Sequence, residues 1–317
     1  MQVLKFGGTS VANAENINKV VAIVQQAVQR DRTIVVVSAL GGTTDSLLQS
    51  GALAAAGDEK YKDILQALEQ RHLETVKALI PVTRQSAVLS WVKQRCNEIE
   101  DICNGVFLLG ELSARTKDRI VSYGELLSSR IISDRFNAAG IENEWVDSRE
   151  LIRTDSNFGH AAVNFVQTNV KCADYFSASS AQLHIMPGFI ARDDNGNGTT
   201  LGRGGSDYTA AIVAAAVNAN SLEIWTDVSG MMTADPRLVK HAKILPHISY
   251  QEAMELSHFG AKVIYPPTIQ PVMSKNIPVW IKNTFEPDHH GTLIDPESVT
   301  NGSNIRGITS INKIALL

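Results

Sequence analysis

Short β-branched segments that alternate with longer helical segments constrain the fold of this chain more than any other feature. QVLKF and TIVVV are each followed by a glycine-containing loop and then by a segment with helical periodicity. Strand-like segments recur later, in IENEWV, LHIMPGFIA, SLEIWTDV and IPVWIK. Strands that alternate with helices form parallel βαβ units, because a parallel pair needs a crossover connection. We therefore predict an α/β fold, a three-layer αβα sandwich with a mainly parallel central sheet and two lobes.

Three segments depart from this alternation. Residues 58–109 carry helical periodicity, charge pairs and one proline, and they predict a helical insertion. ARDDNGNGTTLG, residues 191–202, is dense in turn formers and predicts a hairpin tip or a flap. PESVTNGSN, from residue 296, is typical of a linker, and IRGITSINKIALL then resumes strand-like character. From that resumption we expect the sequence to be a fragment, cut as a further domain begins.

Composition excludes several classes of function. The chain has 317 residues and a formal net charge of -4, which favours neither a nucleic-acid nor an acidic-membrane partner. Three cysteines fit free thiols in a reducing compartment better than a disulfide framework. Two of them could share a helix face, but no second pair of ligands accompanies them, so the sequence does not predict a metal site held by protein side chains. No basic segment followed by an apolar run opens the chain, so we predict a cytoplasmic protein without a membrane anchor.

Glycine pairs follow the first two predicted strands. KFGGTS ends the first strand with Lys5 and turns at Gly7 and Gly8. Ligands bind beyond the carboxyl ends of strands in an open parallel sheet, and bare amides beside a lysine suit a phosphate. SALGGTTD repeats the arrangement and adds Thr44, although Thr44 and Asp45 are alternatively only capping residues. A turn beside a surface lysine is the alternative for the first loop, but two such loops at adjacent strand ends favour a phosphate cradle.

LGRGGSDYTAA is the most specific of the loops. Arg203 stands between glycines, where its planar fork of donors suits a carboxylate or a phosphate. Gly204 and Gly205 complete the loop, and Ser206 and Asp207 lead into an alanine-rich helix. Asp207 is either the N-cap of that helix or a functional residue. No structural role is evident for Arg203, so we predict that it binds an anion.

Five further residues are candidates. Thr226 and Asp227 follow the strand SLEIW, and a DPR turn presents Arg237. Lys262 follows a glycine at a predicted helix end, where it would otherwise only complement the helix dipole. Glu125, in SYGELLSSR, is predicted at the start of a helix, where a glutamate is often only a first-turn residue.

The motifs taken together resemble a known family. Neither GxxxxGK[ST], nor an HRD catalytic loop, nor a dinucleotide fingerprint is present. In order along residues 1–268, KFGGTS, SALGGTTD, GELLS, LGRGGSDYTAA, WTDVSGMMTADPR and FGAKVIYPPT resemble the amino-acid kinase family and, within it, the aspartokinases. The insertion with ICNGVFLLGELSARTKDRIVSYGELLS is similar to the kinase portion of bifunctional aspartokinase–homoserine dehydrogenases.

This resemblance implies a domain plan and a site. A catalytic domain would span residues 1–295, with an aspartate-binding lobe at about 1–218 and a nucleotide-binding lobe at about 219–295, followed by a linker and the start of an ACT-like regulatory region at 296–317. The implied catalytic residues are Lys5, Asp207 and Lys262. The implied substrate residues are Thr44, Glu125, Arg203, Gly204, Gly205 and Ser206. The implied nucleotide residues are Lys5, Gly7, Gly8, Ser10, Thr226, Asp227, Met232, Arg237 and Lys262. Met232 stands where the family usually has tyrosine, so a thioether would replace any ring contact.

The activity implied by the resemblance is transfer of the ATP γ-phosphoryl group to the side-chain carboxylate of L-aspartate. The product, 4-phospho-L-aspartate, would lead towards lysine, threonine and methionine. Mg²⁺ would be held mainly through the phosphates, and the full-length protein would be a homo-oligomer. The acceptor, with an ordinary pKa of about 3.9, is already ionised and needs no general base. Two alternatives stay open: a sister kinase acting on glutamate, acetylglutamate or a nucleoside monophosphate, and a catalytically silent nucleotide-binding module.

Overall fold

The β-branched segments form strands of two sheets in a computed structural model, which describes residues 1–258, 264–297 and 307–308. The strands are β1 (Gln2–Phe6), β2 (Thr33–Val37), β3 (Glu144–Trp145), β4 (Arg153–Thr154), β5 (Leu183–Pro187), β6 (Ile190–Asp193), β7 (Gly198–Thr200), β8 (Ser221–Thr226), β9 (His247–Ser249), β10 (Val279–Asn283) and β11 (Thr292–Asp295). The larger sheet has the order β3-β5-β2-β1-β8-β10-β11-β9, and every pair in it is parallel except β10–β11. β1 therefore lies near the centre of the sheet.

Helices cover both faces of this sheet. They are α1 (Ala14–Arg30), α2 (Thr43–Ala55), α3 (Tyr61–Leu79), α4 (Val82–Leu109), α5 (Ala114–Ala138), α6 (Ser148–Leu151), α7 (Phe165–Ala178), α8 (Gly205–Ala216), α9 (Tyr250–His258) and α10 (Gln270–Met273), with a 3₁₀ helix at Pro266–Ile269. Leu4 and Phe6 of β1 pack into one core with α1 to α5, while Val3 packs into a second core with α7, α8 and α9. Alternate side chains of a strand point to opposite faces. The predicted three-layer fold is confirmed.

The segment 58–109 is helical, as predicted. It forms α3 and α4, and Pro81 is the N-cap residue of α4. Cys96 and Cys103 lie buried in α4 and are free thiols whose pKa burial raises, to about 12 and about 11 respectively. In the described part of the chain no group of three metal-ligating side chains occurs.

The prediction that Glu125 begins a helix is wrong. Glu125 lies in the middle of α5. Gly124 has a packing role instead of marking a helix boundary: a Cβ at Gly124 would lie 3.0 Å from the Cβ of Ala39 in the loop after β2. The missing side chain lets α5 approach that loop closely.

The turn-rich segment at 191–202 is a hairpin. β6 and β7 pair antiparallel, and β4 adds to β6 to make the smaller sheet. β8, from the second predicted lobe, pairs with β1 from the first, so both share the large sheet; the division at residue 218 stays a prediction. Among the described helices, none has the length and apolar character that crossing a bilayer requires. Most of the predicted linker and regulatory start, at 298–306 and 309–317, lies outside the described residues.

Candidate active site

The central strand brings a lysine to the sheet edge where the strands end. Lys5, next to last in β1, pairs in register with Val36 of β2 and Ile224 of β8. Its side chain is 10% exposed, and its Nζ lies 2.6 Å from Oδ1 of Asp207, which is 15% exposed. Oδ1 makes no aligned hydrogen bond in the described chain, so the contact is an ion pair. Gly204 is the N-cap residue of α8, and Asp207 lies in the helix's first turn, so the alternative that Asp207 caps α8 is wrong.

The two predicted phosphate loops pack directly against one another. A Cβ at Gly8 would lie 3.3 Å from the carbonyl oxygen of Ala39, and one at Gly41 would lie 3.1 Å from that of Gly8. Gly42 is the N-cap residue of α2, with a φ of 80° in the left-handed region that glycine adopts at no steric cost. Thr44 therefore lies inside α2 and does not cap it. Small residues are needed here because the backbones of both loops touch.

The carboxyl group of Glu125, in the middle of α5, lies beside these two loops. The residue is 4% exposed, and Oε2 has no hydrogen-bond partner in the described chain. Burial raises the pKa of Glu125 to about 8, against the opposing effects of the Ala39 backbone and the Lys5 charge. Thr43 Oγ1, close by in α2, is likewise buried and unpaired among the described residues. Buried polar atoms without partners are costly and mark this region as a binding site.

The third loop approaches from the start of α8. A Cβ at Gly188, just after β5, would lie 2.6 Å from Ser206 Cβ, and one at Gly205 would lie 2.6 Å from the ring of Phe189. Phe189 has a φ of 68°, which is strained for a bulky residue. Its N–H donates to Thr209 Oγ1 and its carbonyl accepts from the Leu201 N–H, and these bonds hold the strained backbone. The turn after β5 and the start of α8 thus form one wall.

These elements enclose a cavity of about 320 Å³. Among the predicted residues, those that line it are Lys5, Gly8, Thr44, Glu125, Gly204, Gly205, Ser206 and Asp207. Sequence reasoning missed Phe189 and Ser38, which also line it. Both could have been predicted, since GF follows β5 and SA follows β2 at the carboxyl ends of parallel strands, where ligands bind.

Arg203 lies beside the cavity and does not line it. Its side chain is exposed, and its guanidinium lies 5.7 Å from the ring centre of Tyr265. Gly204 allows this approach: its φ is 70°, and a Cβ there would lie 2.9 Å from the Tyr265 Cβ. Gly202, with a φ of 71°, packs against the ring of His160. The arginine is therefore held at the rim by a ring contact that is worth little at exposed sites.

The loop after β8 lies next to the first glycine loop but outside the cavity lining. The Gly7 N–H donates to the Trp225 carbonyl at 3.0 Å. Ser10, fully buried, bonds to the same carbonyl at 3.3 Å and to Thr284 Oγ1 at 2.8 Å, so its hydroxyl links these loops. Thr226 and its exposed neighbour Asp227 bond to each other. Ser10 is therefore bonded within the protein, whereas Thr226 is half-buried and Asp227 is exposed to solvent.

The remaining nucleotide candidates lie farther along this loop. Met232 is half-buried and forms an isolated antiparallel bridge with Ile244. Arg237 is 82% exposed and pairs with Asp235 at 2.7 Å, within the predicted turn. Lys262 lies outside the described residues. Arg237 is thus exposed to solvent in the long loop that follows β8.

Comparison with known proteins agrees with this geometry. The model of the "Amino acid kinase family" matches residues 1–283. A bifunctional aspartokinase/homoserine dehydrogenase 1 of Arabidopsis thaliana is 34% identical over 99% of this chain and 35% of its own length. Aspartokinase 1 of the same plant is 34% identical over 92% of this chain and 51% of its own. The crystal structure of E. coli aspartokinase III with aspartate and ADP superposes with a TM-score of 0.87 at 31% identity, covering 97% of this chain and 67% of that one. The chain thus spans about a third of the length of the bifunctional relative.

Proposed function

The chain belongs to the amino acid kinase family, and from this membership and the cavity we propose that it is an aspartate kinase. It would transfer the γ-phosphoryl group of ATP to the side-chain carboxylate of L-aspartate. The observation that carries the proposal is the meeting of Lys5, Glu125, Ser206 and two glycine loops around one cavity at the carboxyl ends of the strands. Relatives named for aspartokinase activity and a solved relative holding aspartate and ADP support it.

The reaction joins two anions, so the site must lower their repulsion. A carboxylate oxygen attacks the γ-phosphorus, the bond from that phosphorus to the β,γ-bridging oxygen breaks, and its electron pair leaves with ADP. No proton is transferred, because the acceptor is ionised at neutral pH. Lys5 supplies a preorganised charge, and Asp207 holds that charge in place at 2.6 Å. Catalysis then consists of alignment and charge neutralisation.

Selectivity for an amino acid would come from Glu125 and Arg203. An α-ammonium group next to the unpaired Glu125 Oε2 would favour the ionised carboxylate and lower its raised pKa. Arg203, at the rim, would bind the α-carboxylate through two parallel N–H donors. Ser206 and Thr44 also line the cavity.

The nucleotide would lie towards β8, next to the first loop, whose Gly7 N–H bonds to the Trp225 carbonyl. It would meet the half-buried Thr226 and Met232 and the exposed Asp227 and Arg237. Mg²⁺ would be held mainly through the phosphates of the nucleotide, because this ion gives up its waters reluctantly and is rarely enclosed by protein ligands alone. It would neutralise charge on the transferring group. A cytoplasmic location and a homo-oligomeric full-length protein remain predictions.

The test is an assay with ATP, Mg²⁺, hydroxylamine and either L-aspartate or L-glutamate. Hydroxylamine traps an acyl phosphate as a coloured hydroxamate. Colour with aspartate and not glutamate supports an aspartate kinase. Colour with glutamate alone would indicate a sister enzyme, and ADP binding without colour from any acceptor would indicate a silent nucleotide-binding module.

A further inference from the structure

Arg71, on the helical insertion, contacts both glycine loops at once. Nη1 donates to the Gly41 carbonyl and Nη2 donates to the Ala12 carbonyl, each at 2.7 Å. The first acceptor lies in the loop after β2, and the second lies in the loop after β1, two residues before α1. No carboxylate of the described residues pairs with Arg71, so both of its bonds go to the backbone. A planar guanidinium fork can hold two separate carbonyls in one geometry.

The bond to Gly41 also sets the direction of the next amide. The carbonyl of Gly41 and the N–H of Gly42 belong to one planar trans peptide and point in opposite directions. With that carbonyl bonded to α3, the Gly42 N–H points away from α3, and Gly42 lines the cavity. No described residue accepts a hydrogen bond from this N–H. It is therefore a donor held ready for a ligand.

We propose that Arg71 is a positioning residue for phosphoryl transfer: it holds the two loops together so that the Gly42 N–H donates to an anionic oxygen of the bound reactants. This inference rests on the proposed function and extends it, because it makes the helical insertion part of the active site's support. An amide fixed in place before the reaction stabilises developing charge without reorganisation.

Arg32 is a matched control within the chain. It also donates to two backbone carbonyls, those of Ala181 at 2.8 Å and Ser179 at 2.6 Å, and it is half-buried like Arg71. It directly precedes β2, at the end of the sheet opposite the glycine loops. Arg32→Ala removes the same kind of contact without touching the site.

The experiment compares wild type, Arg71→Ala, Arg71→Lys and Arg32→Ala by steady-state kinetics and by hydrogen exchange with and without ADP. We expect Arg71→Ala to lower kcat at least about tenfold, since a displaced donor costs less than a removed one. The KM for ATP should stay within about threefold, because the amide acts mainly in the transition state. Arg71→Lys should recover only part of the turnover, as an ammonium cannot bridge both carbonyls. Arg32→Ala should retain wild-type turnover.

Exchange of the Gly42 amide provides a readout that does not depend on the acceptor. In wild type ADP should slow this exchange, and in Arg71→Ala the slowing should be lost. Wild-type turnover in Arg71→Ala, or an equal loss of turnover in Arg32→Ala, would overturn the proposal. If Arg71→Ala does not fold, Arg71→Lys is judged by the same measurements. If the wild type forms no hydroxamate, the proposed function fails, while the ADP-dependent exchange still decides the role of Arg71.

Discussion

Lys5 Nζ and Asp207 Oδ1 lie 2.6 Å apart, and this ion pair joins the central strand to the first turn of α8. Both side chains are largely buried, yet both belong to the lining of the cavity. A buried pair of this kind fixes the position of the lysine charge, because either partner alone would be a buried, uncompensated ion.

Replacing Lys5 should remove most of the catalytic activity. We expect Lys5→Ala to lower turnover by at least about a hundredfold, the scale for losing one preorganised donor. Lys19→Ala, which removes an exposed lysine paired with Glu15, should leave turnover unchanged. The hydroxamate assay measures both, with circular dichroism to verify folding. Turnover near the wild-type value in Lys5→Ala would exclude Lys5 from the site.

Arg203 should affect the binding of aspartate, the acceptor, rather than the binding of ATP. Because it would bind the α-carboxylate, Arg203→Ala should chiefly raise the KM for aspartate. Arg203→Lys should also raise it, since an ammonium cannot present a planar fork. Arg237→Ala, at an exposed arginine in the loop after β8, should leave the KM for aspartate unchanged. A rise in the KM for ATP alone would contradict the assignment of Arg203.

The raised pKa of Glu125 predicts a pH-dependent stability. Between its ordinary pKa of 4.5 and its native value of about 8, the native state binds more protons than the unfolded state. This residue's contribution to the free energy of unfolding therefore falls as pH rises through that window. Glu125→Gln removes the effect, so the stability of Glu125→Gln relative to wild type should increase from pH 5 to pH 8.

Urea unfolding at several pH values measures this difference. Glu15→Gln, at a 79% exposed position, is the control and should show no such trend. A stability difference for Glu125→Gln that does not change with pH would contradict the raised pKa.

Asp118 connects α5 to the hairpin that leads to Arg203. Its Oδ2 accepts from the Gly159 and Thr200 N–H groups and its Oδ1 from the Thr200 hydroxyl, all at 2.9 Å. Asp118→Asn replaces one carboxylate oxygen with an amide NH2 group and removes the charge that strengthens these bonds, and we expect a loss of about 1–3 kcal/mol in the free energy of unfolding. Asp134→Asn, which breaks only an i,i+4 pair on α5, should cost less. Urea unfolding compares the two, and equal losses would contradict this role.

Two helical glycines should respond in opposite ways to alanine. Gly105, in α4, has no atom within 4 Å of its added Cβ, so Gly105→Ala should stabilise the protein by about 0.5–1 kcal/mol. Gly124→Ala, by contrast, presses on Ala39 and should displace the loop after β2, raising the KM for aspartate. Thermal unfolding and kinetics measure these effects. An unchanged KM in Gly124→Ala would show that α5 and the loop can separate without cost.

The local sequence pattern was sufficient to predict those elements that a single short segment defines. The β-branched segments at β1 and β2, their glycine loops and the helical character of the insertion follow from periodicity and turn residues alone. Because parallel strands end at one edge, the order of the motifs also predicted that Lys5 and Thr44 meet. Glu125 shows the limit. The sequence predicted it at a helix start, whereas it lies in the middle of α5, where the preceding Gly124 packs against Ala39.

The sequence alone determined the layers, the strand-end loops and the residue types that suit two anionic reactants, because these depend on local periodicity and on the chemistry of each side chain. Only the tertiary structure decided that Asp207 pairs with Lys5, that Phe189 forms a wall and that Arg71 joins two loops. Each of those relationships links residues far apart in the chain. Their distances are set by how α3, α5 and α8 pack on the sheet, and no local pattern encodes that packing.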